Sequence, residues 1–159
     1  MTVATITEFF QKDHVRLDKL FQKFRTLKHS RFEEAKECLD EFLNGLLKHI
    51  GWEEEILFPV FEDKTAFKAE GPTVVMRFEH KQIKQALRLI HQSVQEANVA
   101  TDDYEGILLE VLTQHNAKEE GILYPALDEL LSHDELAQIL ERIQGRANHE
   151  HECCCGMGI

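Results

Sequence analysis

Apolar residues recur at three-and-four spacing along most of the chain, which predicts helices rather than strands. The first stripe runs Ile6, Phe9, Phe10, Leu17, Leu20, Phe21, Phe24 and Leu27, and Thr5-x-x-Glu8 ahead of it fits a capping box. A helix is expected over residues 5 to 28. A second stripe runs from Phe32 through Ala35, Cys38, Leu39, Phe42, Leu43 and Leu46 to Ile56, Leu57 and Val60, with Ser30-x-x-Glu33 as its start signal. Residues 62 to 72 form a connector ending in Gly71-Pro72, where Pro suits the first turn of a third helix carrying Val75, Met76, Ile83, Leu87, Ile90 and Val94. After a break over residues 98 to 103, a fourth helix carries Ile107, Leu108, Val111, Leu112, Ile122 and Ala126. Ser132-x-x-Glu135 opens a short fifth helix to about Gln144, and residues 145 to 159 read as a flexible C-terminal tail containing His and Cys. No segment alternates like a strand. The expected fold is all-α: an antiparallel up-down-up-down four-helix bundle, with the short fifth helix, over residues 1 to 144. Pro59 and Pro125, near the ends of helices two and four, each remove a backbone donor and are expected to kink the last turns.

The stripes are interrupted by polar residues, and the interruptions repeat. His49-x-x-x-Glu53-Glu54-x-Ile56-Leu57-Phe58-Pro59 returns as His115-x-x-x-Glu119-Glu120-x-Ile122-Leu123-Tyr124-Pro125, an offset of 115 − 49 = 66. Asp13-His14-x-x-Leu17 returns as Glu79-His80-x-x-Ile83, again at 80 − 14 = 66. Residues four apart lie on one helical face, so His49 with Glu53 and His115 with Glu119 each present an imidazole and a carboxylate to one point in the bundle. His14 and His80 fall on the inward stripes of the other two helices. Two buried carboxylates and four buried imidazoles without partners would be costly, and metal coordination removes that cost. The expected ligands are therefore His14, His49, Glu53, His80, His115 and Glu119, a set that suits a dinuclear first-row site. Mixed nitrogen and oxygen donors favour iron. Glu54 and Glu120 read as solvated or supporting carboxylates, with Glu120 left open as the alternative to Glu119. His29, His91 and His133 read as outside the site.

Composition narrows the partners. Formal charge is 18 − 29 = −11, with the acids spread along the helices, which argues against nucleic acid or an anionic membrane surface. No apolar run approaches a membrane span, and the first residues lack the pattern of a signal peptide, so a cytoplasmic location is expected. Cys38 stands alone in the body and Cys153, Cys154 and Cys155 sit together at the end, which is no disulfide framework.

The order His14, His49-x-x-x-Glu53, His80, His115-x-x-x-Glu119 resembles the hemerythrin-like, or HHE cation-binding, family over about residues 5 to 131. The resemblance implies a four-helix bundle around a non-heme di-iron centre, with both glutamates and an oxo or hydroxo group bridging the irons. By it, His14 and His49 serve one iron and His80 and His115 the other. Oxygen carriers of the family have a fifth histidine where this chain has Met76, and an Asp one position beyond Glu119. The pattern is similar instead to bacterial members with four His and two Glu. These imply reaction with O2, peroxide or NO in oxidative or nitrosative stress or iron homeostasis, with an under-coordinated iron next to Met76. A sensing or binding module for O2 or iron, and an iron storage or delivery protein assisted by the His/Cys tail, are the other readings. The ferritin-like alternative needs Glu-x-x-His pairs, and no Glu here has a His three residues after it.

Overall fold

The computed structural model describes residues 4–67 and 70–153, with side chains described as far as residue 145. The chain forms α1 (Ile6–Leu27), α2 (Phe32–Trp52), α3 (Phe58–Thr65), α4 (Pro72–Gln95), α5 (Asp102–Lys118), α6 (Tyr124–Leu130) and α7 (His133–Cys153). A π turn over Glu53–Leu57 joins α2 to α3, and its repeat over Glu119–Leu123 joins α5 to α6. Each of these pairs is one continuous rod, so the architecture is a bundle of four rods with α7 added, and no strand occurs among the described residues. α1 packs on α2, α2 on α4, α4 on α5, and α6 returns to α1, which closes the ring.

Two of the expected start signals act as helix caps. Thr5 caps α1 reciprocally with Glu8, and Ser132 and Glu135 exchange backbone hydrogen bonds at 2.9 and 3.3 Å ahead of α7. α2 instead starts one residue after Arg31 without a side-chain cap, so Ser30 does not start it. The distortion expected near Pro59 and Pro125 is the π turn immediately before each proline. There the Phe58 and Tyr124 N–H groups donate back five residues to the Glu53 and Glu119 carbonyls, and each proline lies in the first turn of the next helix, where a missing donor costs little. α7 continues past Gln144 to Cys153. Cys154, Cys155 and the rest of the expected tail to Ile159 lie outside the described residues.

The core has two apolar parts. One gathers Ile6, Phe10, Leu57, Phe58, Met76, Leu123, Tyr124 and the inner face of α7; the other gathers Leu17, Phe42, Leu46, Ile50, Ile83, Leu87, Leu108 and Leu112. Along every rod the boundary between them falls where a polar residue interrupts the stripe. No helix among the described residues is long and apolar enough to cross a membrane.

Both ends of α1 are tied to the α5–α6 rod, which shows that the two run antiparallel. At its start, the Ile6 and Thr7 N–H groups and the Thr7 hydroxyl donate to the Asp128 carboxylate at 2.7, 3.1 and 2.6 Å. At its end, Lys28 Nζ, 3 % exposed, reaches Glu105, 1 % exposed, at 2.5 Å. Thr101 at 2.6 Å and Arg25 at 2.9 Å also donate to Glu105. Burial alone would depress the Lys28 pKa, but Glu105 and Asp102 outweigh it and hold it above its ordinary value. Removing one partner of a buried pair leaves an uncompensated charge, so Glu105→Ala should cost about 3 kcal/mol in chemical denaturation. Metal content should be unchanged, because the cluster is at the far end of the rods. A loss below about 1 kcal/mol would show that solvent or Asp102 satisfies Lys28 instead.

Candidate metal centre

The six residues singled out in the sequence meet in the polar layer between the two apolar cores. Glu53, His80 and Glu119 are completely buried, and His14, His49 and His115 nearly so. His14 Nε2 lies 3.1 Å from His49 Nε2, and His80 Nε2 lies 3.0 Å from His115 Nε2. The histidines thus form two facing pairs. Each glutamate spans both. Glu53 Oε1 lies 3.4 Å from His49 Nε2 while its Oε2 lies 3.1 Å from His80 Nε2. Glu119 Oε2 lies 3.4 Å from His14 Nε2 while its Oε1 lies 2.9 Å from His115 Nε2.

Outside this layer the repeat continues in a form that the sequence showed only in part. His49 Nδ1 donates to Asp13 at 2.8 Å, His80 Nδ1 to Glu54 at 2.9 Å, His115 Nδ1 to Glu79 at 2.8 Å, and His14 Nδ1 to Glu120 at 2.7 Å. An ionised carboxylate can only accept, so every ring keeps its proton on Nδ1 and turns Nε2 inward. The four bonds run around the bundle, each crossing one helix interface. Glu120, 34 % exposed, therefore lies on the outer side of His14, and Glu119 is the inward carboxylate. Asp13 is held below the usual carboxylate range despite its burial, through His49 and Arg16, and Glu79 likewise through Lys118 and His115.

With Nδ1 donating outward, the two Nε2 lone pairs of each pair face each other. That is repulsive unless a cation lies between them or one ring keeps a second proton. Burial would lower His49, but the Glu53 charge and the bonds to Asp13 and Glu53 raise it to about 10. His115 rises to about 9 against the same burial, chiefly through Glu119. Glu53, though buried, is held well below the carboxylate range by His49 and His80. Glu53 Oε2 and Glu119 Oε1 are buried and face only imidazole nitrogens, His80 Nε2 at 3.1 Å and His115 Nε2 at 2.9 Å. Borderline nitrogens and hard oxygens, with two buried carboxylates facing four imidazoles, together fit divalent first-row cations. Ligand atoms of Glu53, His80, His115 and Glu119 all lie within 4.8 Å of one another, as do those of His14, His49 and Glu119.

Tyr124 belongs to the site and was not among the expected residues. Fully buried, its hydroxyl bonds to Glu53 Oε1 and Glu119 Oε2, the latter at 3.0 Å. Burial, then the two carboxylate charges, push its pKa well above the ordinary phenol value. The core side of the layer is filled by Phe10, which meets His49 edge-on at 5.0 Å, and by Phe58, stacked on His80 at 5.6 Å. Met76 is buried in that same core. Free space lies on the other side of the layer: a cavity of about 10 Å³ bounded by His14, Leu17, Leu46, His49, Glu53 and His115, reaching out to Asp18 and Asn116. It is roughly the size of one water molecule. His29 and His133 are exposed, and His91 lies at the surface against Asp40 at 3.3 Å; none joins the site.

Comparison with known proteins agrees with this geometry. The family model described as the hemerythrin HHE cation-binding domain matches residues 5–127. Iron-sulfur cluster repair protein YtfE of Yersinia pseudotuberculosis (serotype IB, strain PB1/+) is 32% identical over 98 residues, covering 55% of this chain and 43% of the relative. The protein of the same name from Yersinia pestis (strain Pestoides F) gives the same figures. The matched stretch is thus under half the length of these relatives. No solved structure matches the chain.

Proposed function

The chain belongs to the hemerythrin HHE cation-binding domain family, and on that premise we propose that it is a non-heme di-iron protein that binds or reacts with O2, peroxide or NO. His14 and His49 would hold one iron, His80 and His115 the other, with Glu53 and Glu119 shared. The observation that carries this reading is that each glutamate directs one oxygen to each histidine pair. Such a pair of ions supplies two exchangeable electrons and, with about four protein donors each, open positions for a small exogenous ligand. The protein's part is to fix the four Nε2 lone pairs, through the outer carboxylates, and to exclude bulk water with Phe10, Phe58 and Tyr124. The cavity leading to His14, His49 and His115 admits nothing larger than a few atoms without local opening, which suits a diatomic or peroxide.

Two iron ions per chain are expected after expression in iron-replete cells, with an optical spectrum that changes between reduced and air-exposed protein. One metal per chain, or zinc alone, overturns the reading. A second reading, iron delivery within iron-sulfur cluster maintenance, is supported by the similarity to proteins named for cluster repair. Transfer of iron to an acceptor without loss of peroxide or NO would favour it over direct reaction. An O2- or iron-sensing role fits the same centre but has no separate observation in its favour.

A further inference from the structure

The two halves of the centre are not equivalent, although the sequence repeat makes them look so. The four inward carboxylate oxygens sort into two pairs. Glu53 Oε1 and Glu119 Oε2 lie toward His49 and His14, and both are engaged by the Tyr124 hydroxyl, which also stands 3.4 Å from His49 Nε2. Glu53 Oε2 and Glu119 Oε1 lie toward His80 and His115, whose Nε2 atoms stand 3.1 and 2.9 Å away, and no hydroxyl reaches them. Tyr124 has a counterpart at 124 − 66 = 58, and that residue is Phe58, whose ring lies parallel to His80 within 13° and carries no hydroxyl. One half therefore has its two oxygens sharing the Tyr124 hydroxyl, and the other has no hydroxyl on either.

We propose that the His80/His115 half takes the first metal ion and holds it tightly, while Tyr124 makes the His14/His49 half the labile one. This rests on the di-iron reading. A cation entering between His14 and His49 competes with the Tyr124 hydroxyl for electron density on two carboxylate oxygens, and weakening that hydrogen bond in a buried position costs free energy. A cation entering between His80 and His115 meets two carboxylate oxygens that no hydroxyl engages. Tyr124 acts here through Glu53 and Glu119, as a positioning residue. Both histidines of the labile half line the cavity, whereas of the other pair only His115 does.

The test is anaerobic titration of the metal-free full chain with Co²⁺, followed by its visible absorption bands. Wild type should take up two ions in two steps whose dissociation constants differ at least tenfold. His14→Ala should remove only the weaker step, which assigns it. Tyr124→Phe, which restores the repeat, should tighten the weaker step about tenfold, the worth of one hydrogen bond to a charged group, and leave the stronger within about twofold. Phe58→Tyr should do the reverse, weakening the stronger step. A single unresolved step for two ions in wild type overturns the proposal, as does a weaker step that loosens or stays unchanged in Tyr124→Phe. Uptake that stops at one ion overturns instead the dinuclear reading beneath it.

Discussion

Replacing Glu53 or Glu119 with alanine should cost the protein both irons at once. Each of these carboxylates sends one oxygen to each histidine pair, so one truncation strips a donor from both halves and leaves the other glutamate's charge buried beside Tyr124. The outer carboxylates give a contrasting result. Glu54 and Glu120 touch His80 and His14 only at Nδ1, and losing such a partner frees the ring to change tautomer or tilt. Glu54→Ala and Glu120→Ala should therefore weaken metal binding about 10- to 100-fold while keeping near two irons per chain when metal is in excess. Iron content after exhaustive dialysis, compared across the four variants, decides the matter. If Glu120→Ala empties the site and Glu119→Ala does not, the inward carboxylate of the fourth rod has been misidentified.

The layer itself was legible in the sequence because its residues stand at α-helical spacing. His49 and Glu53 are four apart, as are His115 and Glu119, and a repeat of 66 ties them to His14 and His80. The turn just beyond each glutamate was not legible by the same rule. Tyr124 is five residues beyond Glu119, which on an α-helix places it about 140° away around the axis. The π turn over Glu119–Leu123 holds more residues per turn and brings the fifth residue back over the same face. Only the exchange of Phe58 for Tyr124 between Ile-Leu and Pro of the repeat marked the position, and a hydroxyl there carries no signal of what it bonds to. The outer carboxylates were half visible. Asp13 and Glu79 stood in the repeat beside His14 and His80, but each supports the histidine of a neighbouring helix, His49 and His115. Which neighbour a side chain reaches depends on how the rods pack, and the spacing along one helix is silent on that. Met76 pointed to an open position on its own side of the layer. Met76 itself is buried in the aromatic core, and the free space lies on the other side of the layer, against His14, His49 and His115. The end of α7 was hidden by Gly145, a residue type that commonly stops helices; here it has open space around it and the helix runs through it.

Metal removal should destabilise the fold strongly, and more so at high pH. A ligand that binds only the native state at 1,000 times its dissociation constant adds about 4 kcal/mol. For a chain of this size that corresponds to a melting shift of about 8–16 °C at 2–4 °C per kcal/mol. Two ions that must both leave before the centre comes apart make that a lower bound. The pH dependence arises from the protons that stand in for the cations. In the ion-free chain His49 and His115 have pKa values of about 10 and about 9, above the unfolded value of about 6.5. Their contribution to ion-free stability is thus complete below about pH 6.5 and is lost as pH rises through 9 to 10. The loaded protein has no such protons to lose, and its ions compete against fewer protons as pH rises. The gap in melting temperature between loaded and chelated protein should therefore widen from pH 7 to pH 10 and close toward acid, where the rings protonate and release iron. Melting curves of both forms at pH 6, 7, 8 and 9 measure it. A gap that is absent at all four values would mean that the six side chains need no ion to stay buried, and a gap that narrows as pH rises would mean that the ion-free chain is not held together by imidazolium at His49 and His115.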